Sequence, residues 1–508
     1  LTNILWAFEL RQAKIKLEES ILSAYSQTPH QVLKDVFGFD EFRSSQESAI
    51  EAVLSGQDTL LLMPTGRGKS LCFQIPARVL GGLTVVISPL IALMKDQVDA
   101  AARRGFKTCF INSSLSRDER EARYRKLSEG QYELIYVTPE RFRLPEFWEA
   151  LEGSKQNGRE LKLLAVDEAH CVSTWGHDFR PDYSRLGDYK EKLGNPVVLA
   201  VTATATPEVQ TDIIRQLKMI EPLVLNEGIT RSGLEIEVHD VHGSDEKVRA
   251  FIGLRFQTPG PAIVYFSLIQ TLRQFSEQLS RLNIQHWTYH GQLGDSERKK
   301  SQEQFLRSED GLILATPAFG LGVDKADVRL VVHAELPGSI EAYYQEIGRA
   351  GRDEKTARCA LLYDSDDVSI QMDFLKWANP DPGFIQTLYY LIERNLARAK
   401  LEGFDYLRTQ MNFYNRRDFR VETAVNLLER WESLEGRQPA EWRPLRPPPA
   451  EYLDPNAFEQ RMKSAQKKLL QLVQLAAETQ QCRMQIIQAY FGFIDSQPCG
   501  VCDVCRAL

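Results

Sequence analysis

The chain has no apolar run close to the roughly 20 residues that a membrane-spanning helix needs. No charged-then-apolar stretch of the secretory type opens it. A membrane partner is therefore not expected, and a reducing, cytoplasmic compartment is (nuclear in a eukaryote). Positive charge is not in excess: 62 Lys and Arg stand against 69 Asp and Glu, a formal net charge of −7. Any contact with nucleic acid must then use local basic patches rather than overall charge. Cysteines number only eight and do not form a disulfide framework. Cys72, Cys109, Cys171 and Cys359 sit among apolar neighbours and read as reduced core residues. Cys482, Cys499, Cys502 and Cys505 cluster with the spacing C-x16-C-x2-C-x2-C. In a reducing compartment such a set points to metal. It matches a closed tetrahedral Zn²⁺ site, and the C-x2-C-x2-C run also suits part of an iron–sulfur cluster.

At 508 residues the chain exceeds one core, and three or four domains are expected. Residues 1–30 read as a helical extension. From 31 to 222, apolar runs near Leu60, Thr84–Ile87, Leu134–Val137, Leu163–Val166 and Val197–Val201 alternate with helical stretches. That alternation predicts a parallel sheet with helices on both faces. It restarts for 223–368, with strands at Ala262–Phe266, Leu312–Ala315 and Leu330–His333. The fold class is thus α/β, with two parallel-sheet lobes and a cleft between them. Residues 369–380 read as a linker and 381–436 as a helical segment. Residues 437–456, with Pro447-Pro448-Pro449, read as an irregular connector, and 457–508 as a long helix running into the cysteines. The three helices drawn in 381–436 are Phe384–Leu396, Tyr406–Tyr414 and Val421–Trp431. With the basic turn Arg416-Arg417 they admit two readings, a winged-helix-like unit or a helical spacer.

The chemistry concentrates in three places. Pro64-Thr65-Gly66-Arg67-Gly68-Lys69-Ser70 follows an apolar strand and precedes a helix. Glycines there let backbone N–H groups approach phosphate oxygens, Lys69 reaches the terminal phosphates, and the Ser70 hydroxyl suits Mg²⁺. Met63 replaces the first glycine of the general pattern. The second place is Asp167-Glu168, at the end of the run Leu161–Val166, where two carboxylates can hold a metal and a water. A loop with Ser173, Trp175, His177, Phe179 and Arg180 follows at once, rich in groups that stack on bases. The third, Gln345 to Asp353, carries Arg349 and Arg352, which are always charged and able to bridge phosphate oxygens.

Together these residues resemble the RecQ family of superfamily 2 DNA helicases. Phe37 to Gln46 is similar to that family's adenine-reading motif. Ser88-Pro89-Leu90, Thr138-Pro139-Glu140-Arg141 and Thr202-Ala203-Thr204-Ala205 match further helicase motifs, and Ser173 to Tyr183 matches its aromatic-rich loop. The resemblance implies two RecA-like lobes and a 3′→5′ ATP-dependent DNA helicase acting in repair and recombination on single-stranded and forked DNA, with a monomer expected. It implies that Gln46 bonds the adenine edge while Phe39 and Arg43 pack on its faces, with Phe39 standing where the family usually has Tyr. Thr65, Gly66, Gly68, Lys69, Ser70 and Gln345 would complete the ATP contacts. Asp167 would hold Mg²⁺ through water, Glu168 would activate the attacking water, and the aromatic loop would sense DNA. The resemblance favours zinc at the four cysteines. An RNA-directed helicase and a zinc-stabilised adaptor with a degenerate ATPase remain as alternatives.

The chain departs from the family's usual order. About a hundred residues separate Asp366 from Cys482, where the zinc module usually follows directly. No winged helix is expected after the zinc site, and 381–436 is expected to take over duplex contact. The cysteine tail, with little core of its own, is expected to depend on metal to fold.

Overall fold

The structure is a computed structural model. It describes residues 27–64, 66–173, 181–229, 231, 233–320, 325–411, 418–436 and 438–507. Most of the expected N-terminal extension lies outside them.

Seven strands build the first lobe: β1 Thr59–Leu62, β2 Leu83–Ile87, β3 Thr108–Ile111, β4 Leu134–Val137, β5 Leu161–Asp167, β6 Val197–Thr202 and β7 Leu223–Asn226. They pair in parallel in the order β3-β4-β2-β5-β6-β1-β7. Side chains alternate between two cores, as a pleated strand requires. Leu60, Val85, Ile135, Leu164 and Val198 face one core, and Leu61, Val86, Tyr136, Leu163 and Leu199 face the other. Asp58, just before β1, accepts from the N–H groups of Val198 and Ile220, both at 2.8 Å, and from buried Lys190 Nζ at 2.7 Å. This satisfied buried ion pair pins the start of β1 to β6 and to the turn before β7.

The second lobe has six strands: β8 Leu234–Asp240, β9 Ala262–Tyr265, β10 Trp287–Tyr289, β11 Leu312–Ala315, β12 Leu330–His333 and β13 Ala357–Tyr363. Their order is β10-β11-β9-β12-β13-β8, again all parallel. One face is covered by helices Gly243–Gln257 and Ile269–Arg281. The other face is covered by helix Ile340–Ile347 and by Leu469, Leu472, Leu475, Met484, Ile487 and Phe491.

The cysteine tail is therefore not a small unit with little core of its own. Helices Pro455–Ala477 and Arg483–Tyr490 share one apolar cluster with the strands of the second lobe. The Asp503 carboxylate accepts from the Val238 N–H of β8 at 2.9 Å, and Arg506 pairs with Glu235 at 3.1 Å. The tail also reaches the first lobe. A Cβ added at Gly492 would lie 2.8 Å from Pro207 Cγ, and one at Gly228, between the lobes, would lie 3.9 Å from the Phe493 ring.

Three boundaries differ from the sequence expectation. Residues 223–226 form β7 against β1, so the first lobe extends to Asn226. Residues 369–380 are not an open linker: helix Asp367–Ala378 fills most of them and packs Val368, Met372 and Leu375 against the second-lobe core. Residues 437–456 are more than a connector. Helices Pro382–Arg394, Leu396–Met411 and Arg420–Arg430 are followed by a small antiparallel hairpin, Leu434–Glu435 with Arg443–Pro444. Fully buried Trp442 and half-buried Leu453 join Leu388, Leu407, Val425 and Leu428 in one core. The middle helix breaks at Gly403, whose φ is +61°. Arg416 and Arg417 lie outside the described residues.

Because the tail is a wall of the second lobe, Leu472→Ala is expected to cost about 2–5 kcal/mol, the usual range for a buried leucine. Hydrogen exchange should then quicken in β12 and β13. Quickening confined to residues 455–507 would mean that the tail is a separate unit.

Candidate nucleotide site and cysteine cluster

Parallel sheets offer ligands the crevice at the carboxyl ends of their strands, and the motif residues converge there in the first lobe. After β1 the chain turns through Gly66 and Gly68, with φ of +83° and +87°, into helix Leu71–Leu80. Only glycine holds such angles without strain. Lys69 folds back so that Nζ donates to Met63 O at 3.3 Å. Gln46, 1% exposed, braces the turn: its Nε2 donates to Arg67 O at 3.0 Å and Gly68 O at 3.2 Å. Its Oε1 accepts from the Arg43 N–H at 2.9 Å. The residue expected to read adenine thus also shapes the phosphate loop. Phe39 and Arg43 are exposed beside it, and Ser70 precedes the helix. Thr65 lies outside the described residues.

Asp167 ends β5. Burial, then the neighbouring Glu168 charge, pushes its carboxyl up to about 7, against the pull of Lys69 and of the Glu168 N–H, which donates to it at 3.0 Å. Glu168 is in the left-handed region at φ +49°, ψ +49°, a strained backbone for a non-glycine residue. Its buried Oε2 makes no hydrogen bond. His170 Nδ1 stands 3.4 Å from that oxygen and 2.9 Å from Thr202 Oγ1. Within the first lobe the buried Glu168 oxygen has no hydrogen bond, and the Asp167 carboxyl is held up by burial and by its neighbour's charge. A carboxylate at Asp167 and a hydroxyl at Ser70 are oxygen donors of the kind that Mg²⁺ takes.

The second lobe closes the site from the opposite side. Gln345 Nε2 donates to Thr204 Oγ1 at 3.1 Å, joining helix Ile340–Ile347 to the loop after β6. The alkyl stem of Arg352 lies 3.8 Å from where a Cβ on Gly66 would stand, so Arg352 rests against the phosphate loop. Arg67 pairs across the cleft with Glu354 at 3.9 Å. Arg349 packs against Gly320, where any side chain would meet its guanidinium, and its Nε is buried without a hydrogen bond. Sequence reading missed Arg231. Its guanidinium donates to Gly348 O at 2.7 Å, Ala350 O at 2.8 Å and Gly351 O at 2.7 Å, around the turn that carries both arginines. A lone arginine between two lobes carries no motif signal.

The expected DNA loop is described only at its ends. Trp175, His177, Phe179 and Arg180 lie outside the described residues. Ser173, grouped with them from sequence, is fully buried and donates from Oγ to Asp212 Oδ2 at 2.7 Å. It anchors the loop to helix Pro207–Gln216 and offers nothing to solvent. At the far end Tyr183 is fully buried and Arg143 pairs with Asp182.

The four clustered cysteines come together, with all Sγ atoms within 4.8 Å of one another. Cys482 and Cys502 sulfurs stand 3.9 Å apart, close to the ~3.8 Å edge of a tetrahedron with Zn–S of ~2.3 Å. Burial opposes ionisation of Cys482, but N–H groups of Cys499 and Gln485 turned toward its sulfur bring the thiol down, toward the thiolate a metal needs. Buried Arg483 bonds Asp503 at 2.6 Å, so the cage is keyed to the residue that grips β8.

Two parallel-sheet lobes, with a glycine-rich phosphate loop on one and paired arginines on the other, define the tandem-lobe helicase class. Family models agree: DEAD/DEAH box helicase matches residues 43–213, helicase conserved C-terminal domain matches 245–354, and RecQ zinc-binding matches 450–506. The probable ATP-dependent DNA helicase RecS of Bacillus subtilis is 37% identical over 379 residues, 74% of this chain and 75% of that protein. The ATP-dependent DNA helicase RecQ of the same organism is 43% identical over 342 residues, 67% of this chain and 57% of its own length. The chain belongs to the RecQ family, and carries that family's ATP-binding helicase core and zinc-binding module. It spans little more than half the length of the bacterial RecQ relatives it matches. Among solved structures, Saccharomyces cerevisiae Dbp5 bound to RNA and ADP BeF3 aligns with TM-score 0.52 and 17% identity, over 68% of this chain and 90% of that one. Mycobacterium smegmatis Lhr bound to ssDNA and AMP-PNP aligns with TM-score 0.53 and 18% identity, over 88% and 62%. At such identity the likeness is one of fold.

The purified chain is expected to hold about one zinc, measured by mass spectrometry of the metal, with no visible iron–sulfur absorption. Cys502→Ser should lose most of it and, because the cage is tied to β8, lower the second lobe's thermal midpoint as well.

Proposed function

We propose that this chain is an ATP-driven DNA helicase that moves 3′→5′ along single strands and separates forked or partial duplexes, working as a monomer in repair and recombination at the nucleoid or in the nucleus. The observation that carries the reading is Arg352 of the second lobe lying against the Gly66–Lys69 loop of the first. A nucleotide between them is touched from both sides, so hydrolysis can change how the lobes meet.

In this reading Lys69 leaves Met63 O for the terminal phosphates, and the loop N–H groups hold the others. Ser70 and Asp167 would hold Mg²⁺, whose charge would offset that of the phosphates. Glu168, with one oxygen free of hydrogen bonds, orients and deprotonates the attacking water. Arg349 and Arg352 stabilise the charge that develops on the transferred phosphoryl group. Phe39 and Arg43 are exposed and able to stack on adenine, beside Gln46. The loop of Trp175, His177, Phe179 and Arg180 begins five residues after Glu168, which makes it the natural DNA sensor. Stacking worth about 1–3 kcal/mol per base is enough to bias its position.

Residues 382–453 have three helices and a hairpin over one core, the pattern of a winged helix. In this reading they grip the duplex ahead of the motor. Excising them with a short linker should weaken forked-duplex binding several-fold while ATP hydrolysis on single strands persists. Unchanged fork binding and unwinding would refute that role.

The whole reading is tested with duplexes bearing a 3′ or a 5′ overhang. Unwinding is expected only of the 3′-tailed duplex, only with ATP, and to fall by at least ~100-fold in Lys69→Ala, which removes a direct phosphate contact. RNA stimulating hydrolysis as well as DNA, or strand separation by Lys69→Ala, would overturn it.

A further inference from the structure

Residues 227–233 join β7 of the first lobe to β8 of the second. They are the covalent path between the two sheets. Two of their side chains reach opposite ends of the nucleotide site. Glu227 Oε1 accepts from the Ser45 N–H at 2.7 Å, beside Gln46. Arg231 holds three carbonyls of the turn that bears Arg349 and Arg352, over sequence separations of 117 to 120 residues. The turn is left-handed at Gly351, with φ +56°, and its N–H groups are bonded to backbone, Gly351 N–H to Val328 O at 3.0 Å among them. Its carbonyls at Gly348, Ala350 and Gly351 are the groups that Arg231 takes up.

Three convergent carbonyls are an unusual setting for a guanidinium, whose fixed fork is normally met by carboxylate or phosphate. Burial depresses the Arg231 guanidinium's proton affinity, and the like charges of Arg352 and Arg67 add to the effect. A positive group is therefore kept at that place at some electrostatic cost. Its fork matches the geometry of the turn, while its charge reinforces an anion site. The linker's backbone is fixed to the same lobe: the Leu234 N–H donates to Arg231 O at 3.2 Å, and Tyr344 Oη donates to Ile229 O.

We propose that Arg231 is a positioning residue for Arg349 and Arg352, and that with Glu227 it makes the interlobe linker a strap joining the base end of the nucleotide site to its phosphate end. The inference rests on the reading of Arg349 and Arg352 given above. Arg231 does not touch the phosphates. It sets where the two guanidinium groups stand when the lobes meet, so its loss should lower turnover and leave ATP binding by the first lobe alone.

The test uses the full chain and its DNA-stimulated ATP hydrolysis. Arg231→Met is expected to lower kcat by about tenfold or more with KM for ATP within about twofold. Arg231→Lys, which keeps the charge but not the fork, should recover only part of the loss. In a background that lacks both guanidinium groups, Arg349→Ala with Arg352→Ala, Arg231→Met should add almost nothing, because it acts through those two groups. Hydrogen exchange should quicken at residues 348–351 in Arg231→Met and stay unchanged at 66–73. A further multiplicative loss in that background, or a rise in KM matching the fall in kcat, would overturn the proposal. Full activity of Arg352→Ala alone would instead remove the reading on which it stands, and the proposal with it.

Discussion

A parallel sheet is buried on both faces, so each lobe must find two covers for its strands. The first lobe finds both among its own helices. The second does not: one of its covers is completed by residues 469–504, more than a hundred positions beyond its last strand. Much of the molecule's organisation follows from that debt. It places the zinc cage against β8, brings the Tyr490–Phe493 turn to the seam between the lobes, and lets the 382–453 unit stand outside as an insertion between two helices that both pack on the second-lobe core.

The nucleotide site is built from pieces that are each slightly uncomfortable. Glu168 sits in a left-handed conformation with a buried oxygen unbonded, and Arg349 has a buried Nε without a partner. Asp167 is held near a neutral proton affinity. These costs are borne by rigid surroundings: β5 and β1 in a pinned sheet, and Gln46 bracing the glycine turn. A strained backbone and buried groups without hydrogen bonds, gathered at the residues the motifs single out, are what a site held ready for a charged ligand looks like.

Much of this is legible in sequence because the candidate ATP-site residues occur as contiguous motifs at strand ends, where fold and chemistry coincide. Most central strands are legible for the same reason, being unbroken apolar runs; β13, interior to its sheet, is missed, its run opening on Ala357 and Arg358. Strands at the sheet edges are not. β3, β7, β8 and β10 are all edge strands, and β8 carries Glu235, Glu237 and His239, which blur any apolar pattern. Ser173 misleads because its neighbours in sequence are base-stacking aromatics, whereas its partner in space is Asp212. Trp442 is hidden in a proline-rich stretch that looks unstructured. Arg231 is invisible for a deeper reason: it contacts backbone carbonyls, and carbonyls leave no trace in a sequence.

The late cover of the second lobe also has a consequence in time. A ribosome adding about 5–20 residues per second takes several seconds to pass from Tyr363, the end of β13, to Tyr490. Through that interval the strands of the second lobe exist with one of their covers incomplete, while the 382–453 unit, whose core is drawn from its own residues, has already been made. The nascent chain thus presents an open apolar sheet to water, and the arrival of the last cysteines closes the metal cage and the sheet together. Synthesis arrested before residue 455 would leave a chain with the phosphate loop and both arginines present and a second lobe unable to dry one face of its sheet, a substrate for chaperones and proteases rather than a partly working protein.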